Sequence, residues 1–437
     1  MKKYLFHLII AITTLVIAFS SCSSSGGETV EQVIRVTGVT LNKDTIELRA
    51  GDTETIVATV RPNNATNKTL TWASSNTSVA AVSNSGDVTA ISTGVATITV
   101  TTQDGGKKAE CTLTVLNHSD TGVDVYVAGG YDDDGLTNAV LWKNGVIQHL
   151  TYSQAESVFV SDGDVYAAGH DFIIPTLWKN GVAQHLSDYK DYTGQAYSVF
   201  VSGKDVYVAG YEMSTENLRC FPTLWKNGVA QHLSEGSIVY LPGACALSVF
   251  VSDGDVYVAG FEKTLGDGMP VATVWKNGIA QYLTDHNNPS MAYSVFVSGD
   301  DVYVAGCDSR TGNFGGYLDN AVLWKNGVAQ QLGGYEAHSV FVSGKDVYVA
   351  GSELNILIAR PVAILWKNGV AQRLGSGDYY SAAASVFVSG RDVYVAGFEV
   401  NELGNTVATV WKNGIPHRLS SENEYTAAFS VFVRETQ

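Results

Sequence analysis

The chain has 437 residues, enough for two or three domains with full cores. Hydrophobic residues make up 45% and charged residues only 16%, with 44 glycines, which fits a turn-rich β protein and excludes a disordered one. A net charge of −16, with no basic cluster beyond the N-terminus, excludes nucleic acid as a partner, because phosphate binding needs clustered Lys and Arg.

Lys2 and Lys3 precede a largely apolar run from Leu5 to Phe19, the pattern of a secretory leader. The run falls short of the ~20 residues that a membrane span takes. Phe19-Ser20-Ser21-Cys22 puts small residues before a cysteine and resembles a bacterial lipobox. The resemblance implies that residues 1–21 are a signal peptide cleaved before Cys22. It also implies lipid on Cys22 as the sole link to a membrane, with an uncleaved anchor as the alternative. Residues 22–30, which include Ser23-Ser24-Ser25-Gly26-Gly27, read as a flexible tether.

Residues 31–117 carry short alternating runs such as Thr55-Ile56-Val57-Ala58-Thr59-Val60 and Ala96-Thr97-Ile98-Thr99-Val100. With turn residues between them and a lone Trp72, they predict a β-sandwich. Leu70-Thr71-Trp72, Ser74-Ser75-Asn76, Gly86-Asp87-Val88-Thr89-Ala90 and Gly94-Val95-Ala96-Thr97-Ile98 resemble the bacterial immunoglobulin-like group 2 domain. That resemblance implies a spacer or an adhesive module.

After a linker at 118–123, residues 124–437 repeat one pattern seven times. Asp-Val-Tyr starts at Asp124, Asp164, Asp205, Asp255, Asp301, Asp346 and Asp392. Trp-Lys-Asn-Gly starts at Trp142, Trp178, Trp225, Trp275, Trp324, Trp366 and Trp411, and Ser-Val-Phe-Val at Ser157, Ser198, Ser248, Ser294, Ser339, Ser385 and Ser430. Each unit reads as four strands, with a three-residue Gly-containing turn before Asp-Val-Tyr and a two-residue Asn-Gly hairpin after Trp-Lys. Four antiparallel strands in a repeat of 36 to 50 residues make a propeller blade. The segment Ser202 to Gly210 and its sister copies resemble YVTN- and NHL-type propeller repeats, which implies that Ser-Val-Phe-Val is the innermost strand. The first copy lacks that strand and the last ends on it, so the two ends complete one blade. The expected fold is all-β: an Ig-like β-sandwich followed by a seven-bladed β-propeller closed by its N- and C-terminal repeat strands. The repeated tryptophans are expected between blades as core.

The two turns on one face are uniform, whereas the stretch from Ala-Gly towards the next Trp varies from 7 to 16 residues. All length variation thus falls on the opposite face, the candidate binding face. There every inner strand begins Ala-x-Ser-Val-Phe-Val, with x being Glu156, Tyr197, Leu247, Tyr293, His338, Ala384 and Phe429. Glu156, Tyr197, Tyr293, His338 and Phe429 are the candidate ligand-binding residues at the mouth of the central channel, with a plug of side chains as the alternative. A second set, Asp132, Asp171, Glu212, Glu262, Asp308, Glu353 and Glu399, follows Ala-Gly in each copy. Its expected use is structural, accepting hydrogen bonds from loop backbone or from the neighbouring blade.

No catalytic constellation, cofactor motif or metal-ligand spacing stands out, and Asp132-Asp133-Asp134-Gly135 lacks the spacing of a calcium loop. His149, His185 and His232 share an outer-strand position and read as surface residues. Cys220 and Cys245 are placed in long loops where a disulfide is possible. The whole resembles the multidomain surface lipoproteins of Gram-negative gut bacteria, which implies an outer-membrane lipoprotein. With Glu28 the first acid after Cys22, both surface-exposed and periplasm-facing orientations stay open. The reading is a non-enzymatic binder of a glycan or protein ligand, with the Ig-like domain as its stalk. The alternatives are a carboxylate-dependent polysaccharide lyase or glycosidase, and a scaffold without ligand.

Overall fold

The computed structural model describes residues 33–436 apart from 50–51, 93, 117–121, 134, 238–242, 264–268, 286, 312–316, 319, 356–359 and 376. The leader, Cys22 and the tether lie outside the described residues. Every element among the described residues is a β-strand.

The first module packs the four-stranded sheet Thr45–Arg49, Lys108–Leu116, Gly94–Thr102 and Leu70–Ser74 with the three-stranded sheet Thr53–Thr55, Asp87–Ala90 and Ala80–Val82. Alternation along Gly94–Thr102 buries Ala96, Ile98 and Val100; the first two meet Ile46, Ile56, Val88 and Leu113, and Val100 meets Val36, Val39 and Val60. Gly86, at φ +89°, lies under Trp72, and a Cβ there would come within 2.4 Å of the Ile56 carbonyl oxygen. Only glycine fits that turn.

From Val123 onward every copy folds as the meander read from its landmarks. In the third copy the sheet order is Tyr192–Ser202, Asp205–Ser214, Cys220–Lys226 and Val229–His232. The first two copies share the long strand Val146–Ser161. The last strand, Tyr425–Glu435, pairs with the first, Val123–Asp133, and Phe432 stands opposite Tyr126.

Uniform chemistry explains the uniform turns. Asn-Gly adopts two positive φ values in every copy, for example 54° at Asn227 and 81° at Gly228, as a type I′ hairpin requires. The asparagine does more than turn: Asn227 Oδ1 accepts the Val206 N–H at 2.9 Å, and its Nδ2 donates to Asp205 at 2.8 Å. The other Asp205 oxygen takes Lys226 at 2.7 Å, and that ammonium lies 5.2 Å from the centre of the Tyr207 ring. Lysine and asparagine together hold the Asp205 carboxyl below the ordinary carboxylate range. The turn before Asp-Val-Tyr has two residues and not three, because the serine before it is already paired: Ser161 stands opposite Asp164, and Ser202 opposite Asp205. Asp162-Gly163 has φ positive at both positions, whereas in Gly203-Lys204 only the glycine does.

The seven repeated tryptophans are buried to within 1%. Each packs between copies: Trp178 meets Tyr126, Ala128 and Leu141 of the copy before it, and Trp142 meets Tyr394, Ala396 and Val410 of the last. The inner strands are linked serially by Ser Oγ accepting a Val N–H of the next copy, from Ser157 with Val199 to Ser430 with Val158, at 3.1–3.3 Å. In five copies the outer strand is a separate four-residue strand exposed along its length, with Val182 at 72%.

Candidate functional site

The varying residue x is the extra residue of a β-bulge in every inner strand. The register with the second strand slips between Ala155 and Ser157, between Ala196 and Ser198, and likewise through the other copies. A bulge inserts an unpaired residue and re-aims its side chain. The glycine of Ala-Gly is what admits it. A Cβ on Gly210 would lie 2.0 Å from the Gln195 carbonyl oxygen and 2.9 Å from the Trp225 ring, and Gly169 and Gly306 are equally confined. Landmark glycine and varying x are therefore two halves of one device.

Glu156, Tyr197, Leu247, Tyr293, His338, Ala384 and Phe429 are all half-buried. A serine and a valine separate each of them from the phenylalanines of Ser-Val-Phe-Val. Those phenylalanines touch in an unbroken cycle from Phe159 through Phe200, Phe250, Phe296, Phe341, Phe387 and Phe432 back to Phe159, with centroids 4.7–4.9 Å apart. The seven x residues thus stand one step above a floor of seven aromatic rings.

The floor is uniform, but the ring above it is not. Tyr293 donates to Glu336 Oε1 at 3.0 Å, and His338 Nε2 lies 3.2 Å from Glu336 Oε2, an ion pair when the imidazole is protonated. His338 Nδ1 donates to the Ala383 carbonyl at 3.0 Å, and its ring meets Tyr293 edge-on at 5.6 Å. Burial alone would raise the Glu336 pKa, but the bonds from His338 and Tyr293 outweigh it and hold the carboxyl below its ordinary value. Tyr197 donates to Gln195 at 2.5 Å and stacks on Tyr211. Burial pushes the hydroxyls of Tyr197 and Tyr293 well above the phenol range.

Glu156 differs from its neighbours. Among the described residues its carboxyl has no hydrogen-bond or ion-pair partner, and desolvation raises its pKa to about 7. Glu336 lies outside the residues picked out of the sequence by the bulge position alone. The residue two before it in the same strand carries the same signal, since it too changes from copy to copy (Gln154, Gln195, Cys245, Met291, Glu336, Ala382 and Ala427).

The acidic set does structural work, with partners inside its own blade, on loop backbone for Asp132 and in the crossover from the copy before for Glu212. Asp171 reaches His185 at 3.4 Å, Glu212 reaches His232 at 2.7 Å and also Ser187, Glu262 takes the Tyr282 hydroxyl at 2.8 Å, and Glu353 pairs with Arg373. Each ties the second strand to the outermost one. Asp132 instead accepts the Gly135 N–H at 2.9 Å. Glu399 is raised by burial against the opposing pull of Arg418. His149, His185 and His232 are exposed, as expected, and His232 stacks on Phe221 at 4.3 Å.

Cys220 and Cys245 are free thiols, which corrects the possible disulfide. Both are buried with Tyr211 and Phe261, and their sulfurs face the carbonyls of Ala244 and Ala246. Among the described residues no three His, Cys, Asp or Glu side chains gather in a way that could hold a metal ion. Two further recesses lie away from the mouth. One, of 480 Å³, is lined by Tyr379, Tyr380, Glu399 and Arg418, and the other, of 590 Å³, by Phe221, His232, Glu262 and Tyr282.

Residues 35–113 match the bacterial Ig-like domain (group 2) family. An uncharacterised protein of Clostridium acetobutylicum is 34% identical over 137 residues, which cover 30% of this chain and 14% of that one. An alpha-L-arabinofuranosidase of Bifidobacterium longum is 48% identical over 79 residues, 18% of this chain and 7% of that one. A kappa-carrageenase of Pseudoalteromonas carrageenovora is 38% identical over 96 residues, 22% and 24% of the two chains. This chain thus spans no more than about a quarter of the length of these relatives. Among solved structures, the β-propeller domain of the trilobed protease from Pyrococcus furiosus is similar over 76% of this chain and 96% of that one, at 10% identity and a TM-score of 0.37. The chain is therefore an all-β protein with a bacterial Ig-like domain and propeller-like structural neighbours.

Proposed function

We propose that this chain is an outer-membrane lipoprotein, lipidated at Cys22, whose repeats close into a seven-bladed propeller that binds a glycan at the mouth of its channel. The Ig-like domain serves as the stalk. One observation carries the binding reading: seven identical bulges, each licensed by an identical glycine, present six different kinds of side chain beside the loops of variable length. A scaffold that served only its own stability would have no use for that contrast.

Closure is supported by the pairing of Tyr425–Glu435 with Val123–Asp133 and by the cycle of phenylalanine contacts. Centroids at this spacing on a seven-fold circle lie about 11 Å across, which leaves a bore about 7 Å wide once carbon contact distances are allowed for. A ligand is then held at the mouth and not threaded through. Aromatic faces beside carboxylates and amides suit sugar rings and hydroxyls better than an extended peptide. The Ig-like module also occurs in an arabinofuranosidase and a carrageenase, which favours glycan over protein as the ligand.

The same relatives motivate a second reading, a glycosidase or lyase that uses the acidic set. Against it, those carboxylates are engaged with partners in their own blades. A glycan array with a parallel reducing-sugar assay tests both. The expected result is retention of a subset of glycans without release of reducing ends, lost in the double variant Tyr197→Ala, Tyr293→Ala. Turnover abolished by Glu212→Gln or Asp308→Asn would instead establish the second reading. Binding untouched by the tyrosine variant would move the ligand away from the mouth.

A further inference from the structure

We infer that the mouth recognises an amino-sugar unit, with Glu156 pairing to its ammonium group and the rest of the glycan running outward along the Val146–Ser161 strand to Tyr152 and Phe172. The inference rests on the glycan reading above and names the sugar class it requires.

The first observation is the imbalance of charge at the mouth. The bulge residues and those two before them comprise two carboxylates, one imidazole and no Lys or Arg. Glu336 has His338 and Tyr293 as partners, whereas Glu156 has none. Its strand lies between those carrying Phe429 and Tyr197: Val158 donates to Ser430, and Val199 to Ser157. A desolvated carboxylate without a partner destabilises its surroundings, and a bound cation removes that penalty. Aromatic faces beside it add attraction for the same cation. The net charge of −16 acts in the same direction at longer range.

The second observation lies on the same strand. Tyr152 and Phe172, 48% and 65% exposed, meet at 5.2 Å on the rim. Two residues there hold left-handed backbone without being glycine, Ser153 at φ 92° and Phe172 at φ 55°. For a phenylalanine that conformation is strained, and strain at an exposed aromatic points to use. Tyr152, Gln154 and Glu156 follow one another outward to inward, and four residues of strand span about 13 Å. The strand thus offers a stacking surface, an amide and a carboxylate in line.

Calorimetry on the full chain at pH 7 decides the matter with three probes: a β-1,4-linked glucosamine tetrasaccharide, its fully N-acetylated counterpart and a tetralysine peptide. The glucosamine tetramer is expected to bind at least tenfold more tightly than the acetylated one. Glu156→Gln, which removes a desolvated charge and so retains the fold, is expected to erase that difference. Tyr152→Ala with Phe172→Ala weakens the tetramer but leaves glucosamine monosaccharide unchanged. Wild type and Glu156→Gln differ in the net protons exchanged on binding, because only in wild type can the carboxyl hand its proton to the sugar's amine, and this is read from titrations in two buffers of different ionisation enthalpy. Equal binding of the two tetramers, or a tenfold preference that survives in Glu156→Gln, overturns the inference while the glycan reading stands. Binding of tetralysine alone overturns the glycan reading and assigns the ammonium site to a peptide.

Discussion

The two ends of the repeat domain are made from the same seven copies, yet they obey opposite rules. At the uniform end, Asp, Lys, Asn and Tyr recur unchanged because each closes a bond to another of the four. At the other end, a bulge frees one residue per copy from pairing, and that residue differs from copy to copy. Repetition marks positions whose partners are themselves repeated, in the same copy or the next one, and variation marks positions released from that pairing. The lesson is that sameness across copies identifies structure here, even where the residues are charged or aromatic.

Substitutions at five positions can break or sharpen this contrast. Trp225→Ala opens a cavity between two copies and is expected to cost about 3–5 kcal/mol in chemical denaturation. The indole N–H of Trp225 finds no protein acceptor, so Trp225→Phe loses only packing and falls well below that figure. Glu156→Gln probes the opposite end through pH. A carboxyl whose pKa is raised by folding opposes stability when ionised, so wild type gains stability from this group as pH falls from about 7 towards 4.5. The variant lacks that gain, and the gap between the two, about 2 kcal/mol, is read from melting curves at pH 7.5 and 5. Asn227→Ala loses two hydrogen bonds and strains a positive φ, for about 2 kcal/mol, whereas Asn227→Gly keeps the turn and loses only the bonds. The smallest effect belongs to Lys226→Ala, a shift in the denaturation midpoint smaller than that of Asn227→Gly, since its ammonium is half exposed. If Tyr197→Ala destabilised as much as Trp225→Ala, the two ends would not differ as argued.

Much of this was legible in the residues. Landmarks spaced by whole copies gave the strand order, the Asn-Gly hairpins and the burial of the tryptophans. The length of the other turn was misjudged, because whether Ser161 is turn or ladder depends on a pairing that sequence does not print. The bulge was equally hidden: Ala-x-Ser looks like plain alternation until its register against Ala-Gly is seen. Partners of the acidic set needed knowledge that the second and fourth strands of one blade meet at their ends. Glu336 escaped because it matters through Tyr293 on the preceding inner strand and His338 two residues along its own.

The serine that bridges each inner strand to the next has a consequence for how such a protein changes over generations. Every seam uses the same hydroxyl and the same amide, so any copy fits beside any other without new chemistry at the boundary. Whole units can be duplicated or exchanged, and the loops they carry can drift independently, while the joints between them stay as they were.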